Sequence, residues 1–178
     1  MRAISTETWS LAENTGDSPL PLGDDTAESR AAGRERQKSS GMVLLVEDNA
    51  SDVQIIRRVL EQCGRPVDVR VVRDGEQALD MLKHWEDTSS RPRPFLILLD
   101  WNLPRVSGAD VLAYARHSQY WKAVPIVVVT STDSRAEIGQ ITAAGATAHF
   151  RKPTDLDAYL DLNQIVLEAL SKSDSVSQ

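Results

Sequence analysis

The feature that most narrows what this chain can fold into is a set of short, unbroken apolar runs. Val43–Val46, Phe95–Leu99 and Ile126–Val129 contain no polar residue. Runs of this length suit strands, and a strand apolar on both faces needs cover on both faces, as in a parallel sheet. The segments between them have helical spacing. Ser51–Cys63 places Val53, Ile56, Val59 and Leu60 on one face and is stopped by Gly64 and Pro66. Glu76–Trp85 turns Ala78, Leu79 and Leu82 inward. Further helices are predicted at about 109–117, at 135–144 (closed by Gly145) and at about 156–170. Val67–Arg73 and about Thr147–Arg151 supply the second and fifth strands. Five strand–helix pairs in strict alternation predict an α/β domain with a doubly wound, five-stranded parallel sheet. Its ligands belong at the carboxyl ends of the strands.

Composition excludes several functions. The formal charge of −6 argues against a nucleic-acid surface, which would carry a basic excess. No apolar run approaches the roughly 18 residues of a membrane span, and the polar start after Met1-Arg2-Ala3-Ile4 lacks the apolar core of a secretory signal. The single cysteine, Cys63, cannot form an internal disulfide and reads as a small buried apolar group at a helix end. A cytoplasmic protein is expected. Residues 1–41 hold one aromatic, Trp9, and no sustained periodicity, so they are expected to form a disordered extension. Within it Arg30, Arg34, Arg36 and Lys38 read as a solvated charge run, and Met42 is an alternative translation start. The domain is expected over 42–171, with a flexible tail over 172–178.

Three acids stand where ligands are expected. Glu47 and Asp48 close the first strand and Asp100 closes the third. Carboxylates directly after apolar strands are costly to desolvate unless something neutralises them. Taken singly, each could be a helix cap or turn former. Three at successive strand ends point instead to a hard divalent cation, with Mg²⁺ suited to oxygen ligands and phosphate. Thr130 ends the fourth strand with a hydroxyl, and Lys152 follows the fifth with an ammonium. Acids, metal, hydroxyl and ammonium on one rim can hold a phosphoryl group, with Asp100 as a carboxylate nucleophile.

The order Glu47-Asp48, Asp100, Thr130, Lys152-Pro153 resembles the receiver domain of bacterial response regulators, and so does Leu98-Leu99-Asp100-Trp101-Asn102-Leu103-Pro104-Arg105-Val106-Ser107-Gly108. The resemblance spans Met42 to about Leu170. Within the family the chain is similar to the small regulators paired with phytochrome-type histidine kinases, on Val46-Glu47-Asp48-Asn49, Leu103-Pro104-Arg105 and the long connection from about Glu86 to Pro94. It implies a flavodoxin-like (βα)5 fold and a two-component function. Asp100 would accept a phosphoryl group from a kinase phosphohistidine. Glu47, Asp48, Asp100 and the backbone carbonyl of Asn102 would hold Mg²⁺, while Thr130 and Lys152 would bind the phosphoryl oxygens. Lys152–Pro153 is a candidate cis peptide.

The chain departs from the family pattern at three positions. His149 stands where a Tyr or Phe switch is usual, Ser131 where Ala or Gly is usual, and Trp101 directly follows Asp100. An inward imidazole would have to be neutral and an outward one could protonate, so His149, with Thr130, is a candidate pH-sensitive switch, the alternative being that the aromatic switch is muted here. With no length left after the last helix for an output domain, the receiver would act through its surface. The helix 4–strand 5–helix 5 face is the family's output and dimer surface, with Tyr159, Ile165, Val166 and Leu170 as apolar candidates, several of which must instead pack on the sheet. The alternative is a phosphorylation-independent interaction module of the same fold, which would normally lack one of these acids, the Thr or the Lys. A flavin or nucleotide binder would need a glycine-rich loop, and Glu47-Asp48-Asn49-Ala50-Ser51 has no glycine.

Overall fold

The computed structural model describes residues 41–64, 66–88 and 93–176. The expectations for residues 1–40 (Trp9 and the Arg30–Lys38 charges among them) lie outside the described residues, as does much of the connection before the third strand. The elements run β1 (Gly41–Val46), α1 (Ala50–Glu61), β2 (Val67–Val72), α2 (Gly75–Asp87), β3 (Leu96–Asp100), α3 (Gly108–His117), β4 (Ile126–Thr130), α4 (Arg135–Ala143), β5 (Ala148–Arg151), a 3₁₀ turn (Asp157–Leu160) and α5 (Asp161–Val176). The five strands form one parallel sheet in the order β2-β1-β3-β4-β5.

The apolar runs are explained by what covers them. Along β1, Val43 and Leu45 join the core beneath α1 and α5, while Met42, Leu44 and Val46 join the core beneath α2, α3 and α4. Successive strand side chains point to opposite faces, so only an all-apolar run can serve both cores. Every residue of β3 and β4 is buried, including the polar ends Asp100 and Thr130. The first three helices are started by side-chain caps. Asn49 Oδ1 accepts from Ser51 N at 2.8 Å, Asp74 Oδ1 from Gln77 N at 2.8 Å, and Ser107 forms a capping box with Asp110.

The bounds expected for the last helix are corrected. The last helix does not begin at Leu156: a 3₁₀ turn precedes α5, which continues to Val176 instead of ending near Leu170. The expected tail is therefore helical as far as Val176, since extending a nucleated helix gains a hydrogen bond for each residue fixed. Among the apolar candidates of the output face, Tyr159 and Val166 are the ones that pack on the sheet, as core residues beside Leu162. Ile165 is half-buried against the same core, and the side chain of Leu170 lies outside the description.

Candidate functional site

The order β2-β1-β3 reverses the direction of winding between β1 and β3, and a crevice opens at the carboxyl ends there. Register completes the convergence. Val46 pairs with Leu99, so Glu47 follows β1 at the level of Asp100, and Thr130 pairs with Arg151, so Lys152 leaves β5 just beyond the hydroxyl. The backbone N–H of Lys152 donates to the Thr130 carbonyl at 2.8 Å, which pins that last step.

Asp100 is 6% exposed. Its Oδ1 accepts from the backbone N–H of Asn102 at 2.9 Å, and its Oδ2 lies 2.7 Å from the Lys152 ammonium. Lys152 also lies 2.8 Å from Glu47 Oε2 and 2.8 Å from Asp52 Oδ2. Desolvation alone would lower the Lys152 pKa, but the hydrogen bonds to Asp100, Asp52 and Glu47 outweigh it and hold the group charged. Glu47 behaves oppositely. Burial in the sheet pushes its carboxyl up to about 7, and the Lys152 contact offsets only part of that. Thr130 is fully buried, and its hydroxyl accepts from Thr132 N at 3.2 Å.

The donor set fits a hard divalent cation. One oxygen from each of Glu47, Asp48 and Asp100 lies within 4.8 Å of the others, with Asp48 exposed to solvent. Glu47 Oε2 is fully buried, and the Lys152 ammonium at 2.8 Å is shared with Asp100 and Asp52. A buried carboxylate that shares its one cation is only partly compensated, and an oxygen-seeking divalent cation would complete the compensation.

The loop after Asp100 is shaped by close approach. A Cβ on Gly108 would lie 2.2 Å from the Asp100 main-chain oxygen, so the glycine at this position of the motif is required. Arg105 adopts φ +66° and ion-pairs with buried Asp74 and, at 3.2 Å, with Glu76. Trp101 is half-buried against the α2–α4 core, Ser131 is exposed, and His149 is exposed on β5.

The structure brings together Glu47, Asp48, Asp100 and Lys152, with Asn102 and Thr130 on the same rim. It does not support the cis candidate. The Lys152–Pro153 peptide is trans, the isomer that the tertiary amide itself prefers by about 0.5–1 kcal/mol. Sequence reasoning missed Asp52. It stands in the first turn of α1, where an acid is ordinary and nothing in the local pattern marks it as a partner of Lys152.

A doubly wound parallel sheet with an acidic, lysine-bearing rim at its switch point defines a phosphoacceptor domain of the signalling class. The family model for the response regulator receiver domain matches residues 43–163, and the chain belongs to that family. It is a two-component response regulator. The chain is 33% identical to FilR2 of Methanothrix harundinacea over 127 residues, covering 71% of this chain and 79% of FilR2. It is 34% identical to the response regulator Rcp1 of Synechocystis over 97 residues, covering 54% of this chain and 66% of Rcp1. A Mn²⁺-bound crystal structure of Rcp1 matches with a TM-score of 0.63 at 28% identity, over 71% of this chain and 91% of that one. The phosphorylated cyanobacterial phytochrome response regulator RcpA matches with a TM-score of 0.67 at 28% identity, over 76% and 96%. Among the described residues no helix is long and apolar enough to cross a membrane.

Proposed function

We propose that Asp100 is the phosphoacceptor and that the domain, running from β1 through α5, takes its phosphoryl group from a phosphohistidine of a phytochrome-type histidine kinase. The observation that carries the assignment is the state of Asp100: a buried carboxylate at a strand end, with one oxygen held by a backbone N–H and the other by a buried ammonium. An Asp100 oxygen attacks phosphorus as the P–N bond breaks, and the imidazole keeps the electron pair. Glu47, Asp48, Asp100 and the Asn102 carbonyl would hold Mg²⁺, which when bound supplies charge neutralisation for the phosphoryl oxygens. Lys152 neutralises a further oxygen. Thr130 turns its hydroxyl to the phosphoryl group and gives up its present bond to Thr132 N, which transmits the change toward α4.

Similarity to the cyanobacterial phytochrome response regulator RcpA supports the kinase class. The Mn²⁺-bound relative and the oxygen-only donor set support a divalent cation, with Mg²⁺ the cellular choice. The protein acts as a phosphoacceptor in the cytoplasm, with hydrolysis of the acyl phosphate at Asp100 as its own turn-off. Output through the α4–β5–α5 face would form a dimer or bind a protein partner. His149 lies on that face in the outward position expected of a resting switch. The test is incubation with acetyl phosphate and Mg²⁺, which should add one base-labile phosphoryl group. Labelling at any residue other than Asp100 overturns the assignment.

A further inference from the structure

Lys152 has three carboxylate partners at nearly equal distance, and they are not equivalent. Glu47 and Asp100, at 2.8 and 2.7 Å, belong to the oxygen cluster shared with Asp48. Asp52, at 2.8 Å, stands outside that cluster and comes from a different element, the first turn of α1. The Asp52 N–H reaches the Asn49 cap at 3.4 Å, so the same cap that starts the helix sets the place of this carboxylate. The ammonium is 9% exposed and Asp52 19%, so neither is freely hydrated.

A divalent cation bound by Glu47, Asp48 and Asp100 would draw two of the three partners away from Lys152, and its charge would repel the ammonium. A buried ammonium with no counter-charge is strongly disfavoured. We propose that Asp52 is a positioning residue: it is the seat Lys152 retains when the cation takes Glu47 and Asp100, and it keeps the ammonium at the rim where phosphoryl oxygens arrive. This inference rests on the metal reading of the site. Without Asp52, the ammonium has only the two metal ligands to hold and competes with the cation for them.

The test is Mn²⁺ binding to the full chain with no phosphodonor, followed by electron paramagnetic resonance of the free ion. Asp52→Asn preserves shape and removes the charge, and should weaken Mn²⁺ binding by about tenfold, the scale of losing a supporting contact around a metal site, because the unseated ammonium then competes for Glu47 and Asp100. In a Lys152→Gln background, where no ammonium needs a seat, Asp52→Asn should change Mn²⁺ affinity by less than about twofold. Equal weakening in both backgrounds would overturn the proposal, because Asp52 would then act as bare charge. Unchanged affinity in Asp52→Asn alone would also overturn it. Failure of the wild-type chain to bind Mn²⁺ would instead refute the metal reading, and this inference with it. Matching thermal melting of Asp52→Asn and wild type in EDTA at pH 8 checks that the fold is intact.

Discussion

Gly108 lies so close to Asp100 that a Cβ at position 108 would sit 2.2 Å from the Asp100 main-chain oxygen and 2.8 Å from the Trp101 Cα. Both obstacles are backbone and cannot swing aside. Gly108→Ala should therefore cost about 3 kcal/mol. Gly139, inside α4, meets nothing within 4 Å. Gly139→Ala should stabilise by about 0.5–1 kcal/mol through helix propensity. Urea unfolding of the two variants decides the point, and equal effects would show that the close approach at Gly108 carries no energy.

The nucleophile can be tested by an isosteric change. Asp100→Asn keeps the volume and can still accept from the Asn102 N–H, yet it cannot form an acyl phosphate. Stoichiometric base-labile phosphate from acetyl phosphate should fall to background. Retention of the label would remove Asp100 from the chemistry.

Glu47 makes stability depend on pH with a definite sign. Burial raises its carboxyl to about 7 in the folded chain, from an ordinary value of 4.5. The folded state thus binds more protons than the unfolded state between those values, and this group's contribution to stability falls as pH rises. It is fully present below about pH 4.5 and lost above about pH 7, a range of about 3 kcal/mol. In EDTA, Glu47→Gln should flatten the change across that window and be the more stable protein at pH 8. With metal present, protons compete for the same oxygen, so Mg²⁺ affinity should fall from pH 8 to pH 6. A variant with the wild-type pH profile would remove Glu47 as the source.

Thr130 separates phosphorylation from response. Thr130→Ala loses a hydroxyl that accepts one N–H at 3.2 Å, a stability loss of about 1 kcal/mol or less. It should still label at Asp100, while phosphorylation-dependent dimerisation or partner binding falls to the unphosphorylated level. Thr130→Ser should keep the response. An intact response in Thr130→Ala would show that the signal leaves the site by another route.

What the sequence determined by itself was periodic or terminal in character. Unbroken runs such as Leu96–Leu99 announced strands buried on both faces, and Glu47, Asp48, Asp100, Thr130 and Lys152 could be placed because each sits at or just past a strand end. Those signals are local, since the period of a side-chain pattern and the last residue of a strand need no knowledge of a distant partner. Tertiary structure decided what depends on partners. Asp52 reaches Lys152 across 100 residues, a meeting that no spacing encodes. Of the apolar residues Tyr159, Ile165, Val166 and Leu170, several had to pack on the sheet, and only the packing of the last helical segment shows that Tyr159 and Val166 are among them. The Lys152–Pro153 bond turns on about 0.5–1 kcal/mol of intrinsic preference, a margin that the surroundings of one loop can keep or reverse. Glu47 and Asp48 are adjacent acids in the chain, yet Glu47 is sealed in the sheet and Asp48 faces solvent. Both carboxylates reach the same oxygen cluster, and which of the two is sealed off from water is settled by the elements that pack there.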